Sequence, residues 1–224
     1  MKFLFASDSF KGTLTSRRTA ELLAQAAYEV FPACKCACVE MADGGEGTTE
    51  AVIAAAGGSL IEVKVHGPLW EPRTSCYGKL DHRRAVMEMA AASGLPLVPS
   101  DMRDPRKTTT FGTGEMIRDA LDRGFRDISI AIGGSATNDG GIGCMKALGI
   151  RFLDAEGKEV DGCGEDLIHI RDIDESGLDP RVSECRFTVM CDVSNPLCGE
   201  NGAAYTFGGQ KGGTPEVLDE LEEG

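Results

Sequence analysis

Phe3-Leu4-Phe5-Ala6-Ser7-Asp8-Ser9 is a short apolar run that breaks into a polar cluster, the pattern of a strand buried on both faces whose far end is free for chemistry. A helical stripe follows over residues 16–31, with Ala20, Leu23, Ala27 and Val30 on one side and Pro32 as its stop. A second strand around 35–41 runs into Ala42-Asp43-Gly44-Gly45-Glu46-Gly47-Thr48, and a small-residue helix continues to Ala56 before Gly57-Gly58. Strand, helix, strand and helix in this order predict an α/β fold with parallel strands joined by right-handed crossovers.

Outward from that opening the rhythm changes. Residues 61–65 alternate, Ile61, Val63 and Val65 against Glu62 and Lys64, and a similar run lies near 73–80, which predicts strands with one wet face and places a domain boundary near residue 66. Further on, the spacing predicts a helix over 114–123 (Met116, Ile117, Ala120, Leu121), a buried strand over 128–132, a small helix over 141–148 and a strand over 186–191. Residues 215–224 read as the start of a helix with five acids and no base, either an acidic tail or a helix cut short.

The chain has 224 residues with Lys+Arg 23 against Asp+Glu 36, a formal charge of -13. That balance excludes non-specific binding to nucleic acid or anionic membranes, which needs clustered Lys and Arg. The N-terminus lacks the apolar run of a signal peptide, no stretch approaches a membrane span, and the reading is cytoplasmic. Nine cysteines, an odd count at irregular spacing, read as reduced thiols. Cys34, Cys36 and Cys38 alternate on one strand face, which suits packing better than a zinc site.

Four segments carry candidate chemistry. In Ile130-Ala131-Ile132-Gly133-Gly134-Ser135-Ala136-Thr137-Asn138-Asp139-Gly140-Gly141 a buried strand runs into a glycine-rich loop and then a helix, so backbone N–H groups can gather on phosphate or carboxylate oxygens, with Ser135, Thr137 and Asn138 adding neutral donors. The spacing matches neither common nucleotide fingerprint, and an ordinary turn is the alternative, over which the glycines and polar residues favour an anion site. The Asp43–Thr48 loop is a second site of this type: Asp43 either caps the helix or holds a divalent cation, and Gly44 and Gly45 allow close backbone approach. Asp8 and Lys11 lie at the carboxyl end of the first strand, where α/β sheets bind ligands, as a base or metal ligand and a phosphate clamp. Asp192, in Cys191-Asp192-Val193-Ser194-Asn195-Pro196, and Lys211, in a glycine-rich stretch, complete the set, with an Asx-type turn and a flexible loop as the alternatives. His66, His82 and His169 share no motif with Ser or Cys that would make a nucleophilic triad.

These segments, with Glu88-Met89-Ala90-Ala91-Ala92-Ser93-Gly94-Leu95, Gly112-Thr113-Gly114-Glu115 and Gln210-Lys211-Gly212, resemble the bacterial type I glycerate kinases in order over nearly the whole chain. Ser7 and Gly209 stand where that family commonly has proline. The resemblance implies ATP-dependent phosphorylation of D-glycerate with Mg²⁺, at the 2-hydroxyl. It also implies a Rossmann-like or flavodoxin-like domain interrupted by a second mixed α/β domain, here residues 1–66 and 67–214, with 215–224 beyond them. Family members continue past residue 224, so the first domain is expected to be incomplete and the chain alone weakly active. A half-built sheet edge would offer a surface for a homodimer. Asp8 is the expected general base, with Asp139 as rival. Lys11 and Lys211 would offset charge, Gly133–Gly141 would bind phosphate or the glycerate carboxylate, and Asp43 or Asp192 would hold Mg²⁺. A non-catalytic fragment binding a small acid or a nucleotide is the other reading, and an inert fragment a third.

Overall fold

The computed structural model describes residues 1–10 and 13–224. In chain order its first elements are β1 (Lys2–Phe5), α1 (Ser16–Val30), β2 (Lys35–Cys38), α2 (Thr48–Ala56), β3 (Ser59–His66), β4 (Pro72–Lys79) and β5 (Arg84–Glu88). They are followed by α3 (Ala90–Ser93), α4 (Phe111–Asp122), β6 (Asp127–Ala131), α5 (Ile142–Ala147), β7 (Arg151–Leu153), β8 (Asp172–Asp174), β9 (Arg186–Met190), α6 (Ala203–Phe207) and α7 (Pro215–Glu223).

The main sheet has five strands in the order β3-β4-β5-β6-β9. The β3–β4 and β4–β5 pairs are antiparallel, while β5–β6 and β6–β9 are parallel, so Glu88, Ala131 and Met190 end side by side at one edge. The alternation in β3 corresponds to its antiparallel pairing and to one wetter face. Helix α4 lays Met116, Ile117, Ala120 and Leu121 on this sheet, where they form one core with Tyr77, Met87 and Ile128. The Tyr77 hydroxyl donates to Asp119 Oδ2 at 2.7 Å, so the polar tip of a fully buried ring is satisfied.

Strand β5 has no counterpart in the sequence reading. Ala85-Val86-Met87 is only three apolar residues, too short to show a period, and its strand state comes from β4 and β6 on either side.

β1 and β2 pair in parallel as predicted, but as a separate two-stranded sheet. β1 is not buried on both faces: Phe3 and Phe5 stack on one side, ring centroids 5.9 Å apart, while Leu4 on the other is 68% exposed. The α1 stripe is only partly covered too, with Ala20 buried and Val30 68% exposed. Among the described residues nothing covers those faces. α7 is a formed helix whose Val217 and Leu221 pack with Ala204 of α6. All nine cysteines are free thiols. No helix is long and apolar enough to cross a membrane among the described residues.

Candidate active site

The parallel strands aim their carboxyl ends at one set of loops, the position where ligands bind in open α/β sheets. The Gly133 N–H donates to the Gly44 carbonyl oxygen at 2.9 Å, joining the loop after β6 to the loop before α2. Glycine is required there, because a Cβ at Gly133 would lie 2.9 Å from both Gly44 O and Gly45 Cα. Gly44, at φ +92°, leans on the end of β9, its hypothetical Cβ 3.2 Å from Met190 O. Asp43 and Asp192 therefore flank one junction, one residue from Gly44 and two from Met190.

The smaller sheet is tied to the same place by Ser16, which the sequence reading missed. Its Oγ donates to Ser7 O at 2.7 Å and accepts from Met41 N at 2.8 Å, linking the segment before Asp8 to that before Asp43. Asp8 is exposed and its Oδ1 accepts from Ser9 N at 2.7 Å. Lys11 lies outside the described residues.

Both helix starts near the junction already hold a carboxylate of the chain itself. Glu88, only 8% exposed at the end of β5, accepts from Thr49 N at 2.6 Å and Gly47 N at 3.3 Å, the opening N–H groups of α2. Burial pushes its carboxyl above the ordinary range, and the two N–H donors oppose that shift. Asp139, 2% exposed, accepts through Oδ2 from Thr110 N and Oγ1 at 2.8 and 2.7 Å and through Oδ1 from Gly141 N at 3.0 Å. Burial raises its pKa as well. Asp139 thus locks the Gly133–Gly141 loop onto the start of α4, and Thr108 adds a bond from its Oγ1 to Ala136 O at 3.0 Å.

Lys211 reaches the same loop from far along the chain. Its Nζ donates to Ser135 Oγ at 2.8 Å and Thr137 O at 2.5 Å, and burial lowers its pKa to about 8. The loop is held further by Leu95 N on Gly134 O and Ala136 N on Ser93 O, both at 2.9 Å. After these bonds the N–H groups of Gly134, Ser135, Thr137 and Asn138 donate to nothing among the described residues. An anchored loop with spare backbone donors, neutral hydroxyls and a buried ammonium is equipped to take an anion.

Comparisons with known proteins give the family. A model of the glycerate kinase family matches residues 3–224. The chain belongs to the glycerate kinase family. It is similar to a glycerate kinase of Bacillus subtilis, 49% identical over all of this chain and 59% of the relative, and to a glycerate 2-kinase of Escherichia coli, 48% identical over 99% of this chain and 58% of the relative. A crystal structure titled as a putative glycerate kinase 2 from Salmonella typhimurium superposes with a TM-score of 0.84 at 48% identity, over 99% of this chain and 60% of that one. The chain therefore spans about three-fifths of the length of these relatives.

Glu88, Ser16 and the Thr108–Thr110 run escaped prediction as site-building residues. Glu88 and Thr108–Thr110 carry no spacing signal, since their long-range partners lie between 28 and 53 positions away.

Proposed function

We propose that this chain carries the substrate and nucleotide site of an ATP-dependent kinase that phosphorylates D-glycerate at its 2-hydroxyl. The observation that carries this reading is the junction of Gly133 and Gly44 at the carboxyl ends of the parallel strands, in a chain of the glycerate kinase family.

The glycerate hydroxyl attacks the γ-phosphoryl of ATP in line, the bond from the γ-phosphorus to the β,γ-bridging oxygen breaks and ADP leaves, and the protein's share is positioning and charge stabilisation. The Gly134–Asn138 segment offers N–H donors to the anionic oxygens, and Lys211 sets that segment's shape. Asp8, exposed beside the Ser16 tie, takes the hydroxyl proton.

The donor set suits Mg²⁺ brought with a nucleotide. No group of three or more His, Cys, Asp or Glu forms a cage among the described residues, and Mg²⁺ is commonly held by one or two carboxylates plus phosphate oxygens and water. Asp43 and Asp192, flanking the Gly44–Met190 contact, are the residues that would hold it; when bound it offsets phosphate charge.

Phosphorus NMR of ATP, Mg²⁺ and D-glycerate tests the proposal, run on this chain and on a chimera extended to family length with the remainder of the Bacillus subtilis relative. The expected product signal is that of 2-phosphoglycerate. A 3-phosphoglycerate signal overturns the choice of hydroxyl, and no phosphoglycerate from either protein overturns the reading.

A further inference from the structure

Three basic residues, Arg103, Arg106 and Lys107, stand close together in the chain before the Thr108–Thr110 run, and two of them have carboxylates. Arg106 is gripped by Asp104, Nη2 to Oδ2 at 2.8 Å, and also meets Glu220 at 3.3 Å. Lys107 pairs with Glu165 at 2.5 Å. Arg103 has no ion pair among the described residues, and its Nε is buried without a hydrogen-bond partner. Other basic residues with no carboxylate partner among the described residues, such as Lys2, Lys35 and Arg83, are exposed to solvent. Arg103 is half-buried, and its Nε–H, buried without a partner among the described residues, carries a desolvation cost.

Its place in the fold gives that cost a purpose. Gly212, at φ +97°, lies against the Arg103 backbone so tightly that a Cβ there would meet Arg103 Cβ at 2.7 Å. Gly212 follows Lys211, whose ammonium holds Ser135 and Thr137. The backbone of Arg103 therefore meets the residue that follows Lys211, and neither cation has a carboxylate partner among the described residues of a chain whose formal charge is -13. Lys211 is occupied with the loop, whereas Arg103 has its donors to spare. A guanidinium presents a planar fork that pairs with both oxygens of a carboxylate. A carboxylate that stays charged throughout the reaction is well served by such a permanent cation, while transferring phosphates can rely on Mg²⁺ and backbone donors.

We propose that Arg103 recognises the carboxylate of the hydroxy-acid substrate, with the Lys211-held Ser135–Thr137 turn beside it. This rests on the reading of the site as that of a glycerate kinase.

The test is calorimetric titration of the 224-residue chain, Arg103→Ala and Arg103→Lys with D-glycerate, with ATP and Mg²⁺, and with glycerol, which lacks the carboxylate. Losing a charge-assisted pair is expected to weaken D-glycerate binding about 10- to 100-fold in Arg103→Ala, with ATP unchanged within about twofold. Arg103→Lys, which keeps the charge and loses the fork, should weaken D-glycerate about fivefold or more, and it carries the test should the alanine variant not fold. Glycerol should bind the three proteins alike. Unchanged D-glycerate affinity in the folded variants overturns the proposal and leaves the kinase reading standing. Equal loss of D-glycerate and ATP also overturns it, because the residue would then serve phosphate or the scaffold. If the unmodified chain binds ATP but not D-glycerate, the carboxylate assignment falls; if it binds neither, the kinase reading for this chain falls with it.

Discussion

The ammonium of Lys211 lies 2.8 Å from the hydroxyl of Ser135, a partner 76 positions earlier in the chain. This bond, with the one to Thr137 O, fixes the middle of the glycine loop from outside. It also links stability to pH. The unfolded lysine titrates near 10.5 and the native one near 8, so between those values the unfolded chain holds more protons and native stability rises with pH. The penalty for burying the charge is fully present below pH 8 and gone above 10.5, a span worth roughly 3 kcal/mol. Lys211→Met removes that slope. Urea unfolding from pH 7 to 10 should show the difference between the chain and the variant growing in the chain's favour; parallel curves would refute the linkage.

Glu88 closes the amino end of α2 from across the sheet. Glu88→Gln turns one amide N–H toward a backbone donor and should cost about 1–3 kcal/mol. Because burial raises the native pKa, the native state takes up the proton more readily than the unfolded one as pH falls. The side chain's contribution therefore increases as pH drops through its raised pKa and levels off below the ordinary 4.5. Stability curves of the two proteins between pH 7 and 4 should diverge in that direction.

A methyl group at Gly133 would press on Gly44 and Gly45. Gly133→Ala is expected to cost about 1–3 kcal/mol through the forced backbone shift, and to weaken nucleotide binding by about tenfold or more as the loops part. Gly209→Ala is the control, since a Cβ there meets nothing within 4 Å, and its effect should stay within about 0.5 kcal/mol. Thermal unfolding and calorimetry read both.

Asp139 and Thr110 share two hydrogen bonds in a buried site. A double-mutant cycle with Asp139→Asn and Thr110→Val should give a coupling of about 1–3 kcal/mol. Additive effects would mean that the loop is held by its other contacts alone.

Asp8 is exposed, so Asp8→Asn should leave the unfolding curve nearly unchanged. In the family-length chimera it is expected to slow turnover by about 10²- to 10⁴-fold if Asp8 is the base. Full activity in that variant removes it from the role.

The pieces visible in the sequence were those with a local signature. The stripe Met116, Ile117, Ala120 and Leu121 announced α4, and all four are buried. The alternation after Ile61 announced strands with one wetter face, and β3 and β4 pair antiparallel there. The glycine runs at 44–47 and 133–141 marked backbone that must bend or approach closely, as the positive φ of Gly44, Gly134 and Gly141 bears out. β1 is the instructive exception. Phe3-Leu4-Phe5 is apolar throughout, yet Leu4 is largely exposed, because an apolar run reports affinity for a core and not whether a layer covers it.

The amino-acid sequence by itself determined the α/β alternation, the glycine loops at the strand ends and the family, because each depends on residues near one another in the chain or on their order. Only the tertiary structure decided that β5 is a central strand, that Glu88 and Asp139 serve helix starts, that Lys211 holds Ser135, and that Arg103, unlike Arg106 and Lys107, has no carboxylate partner among the described residues. Those outcomes depend on which side chains meet across tens of residues, and such meetings are settled by strand register and packing, to which local periodicity is blind.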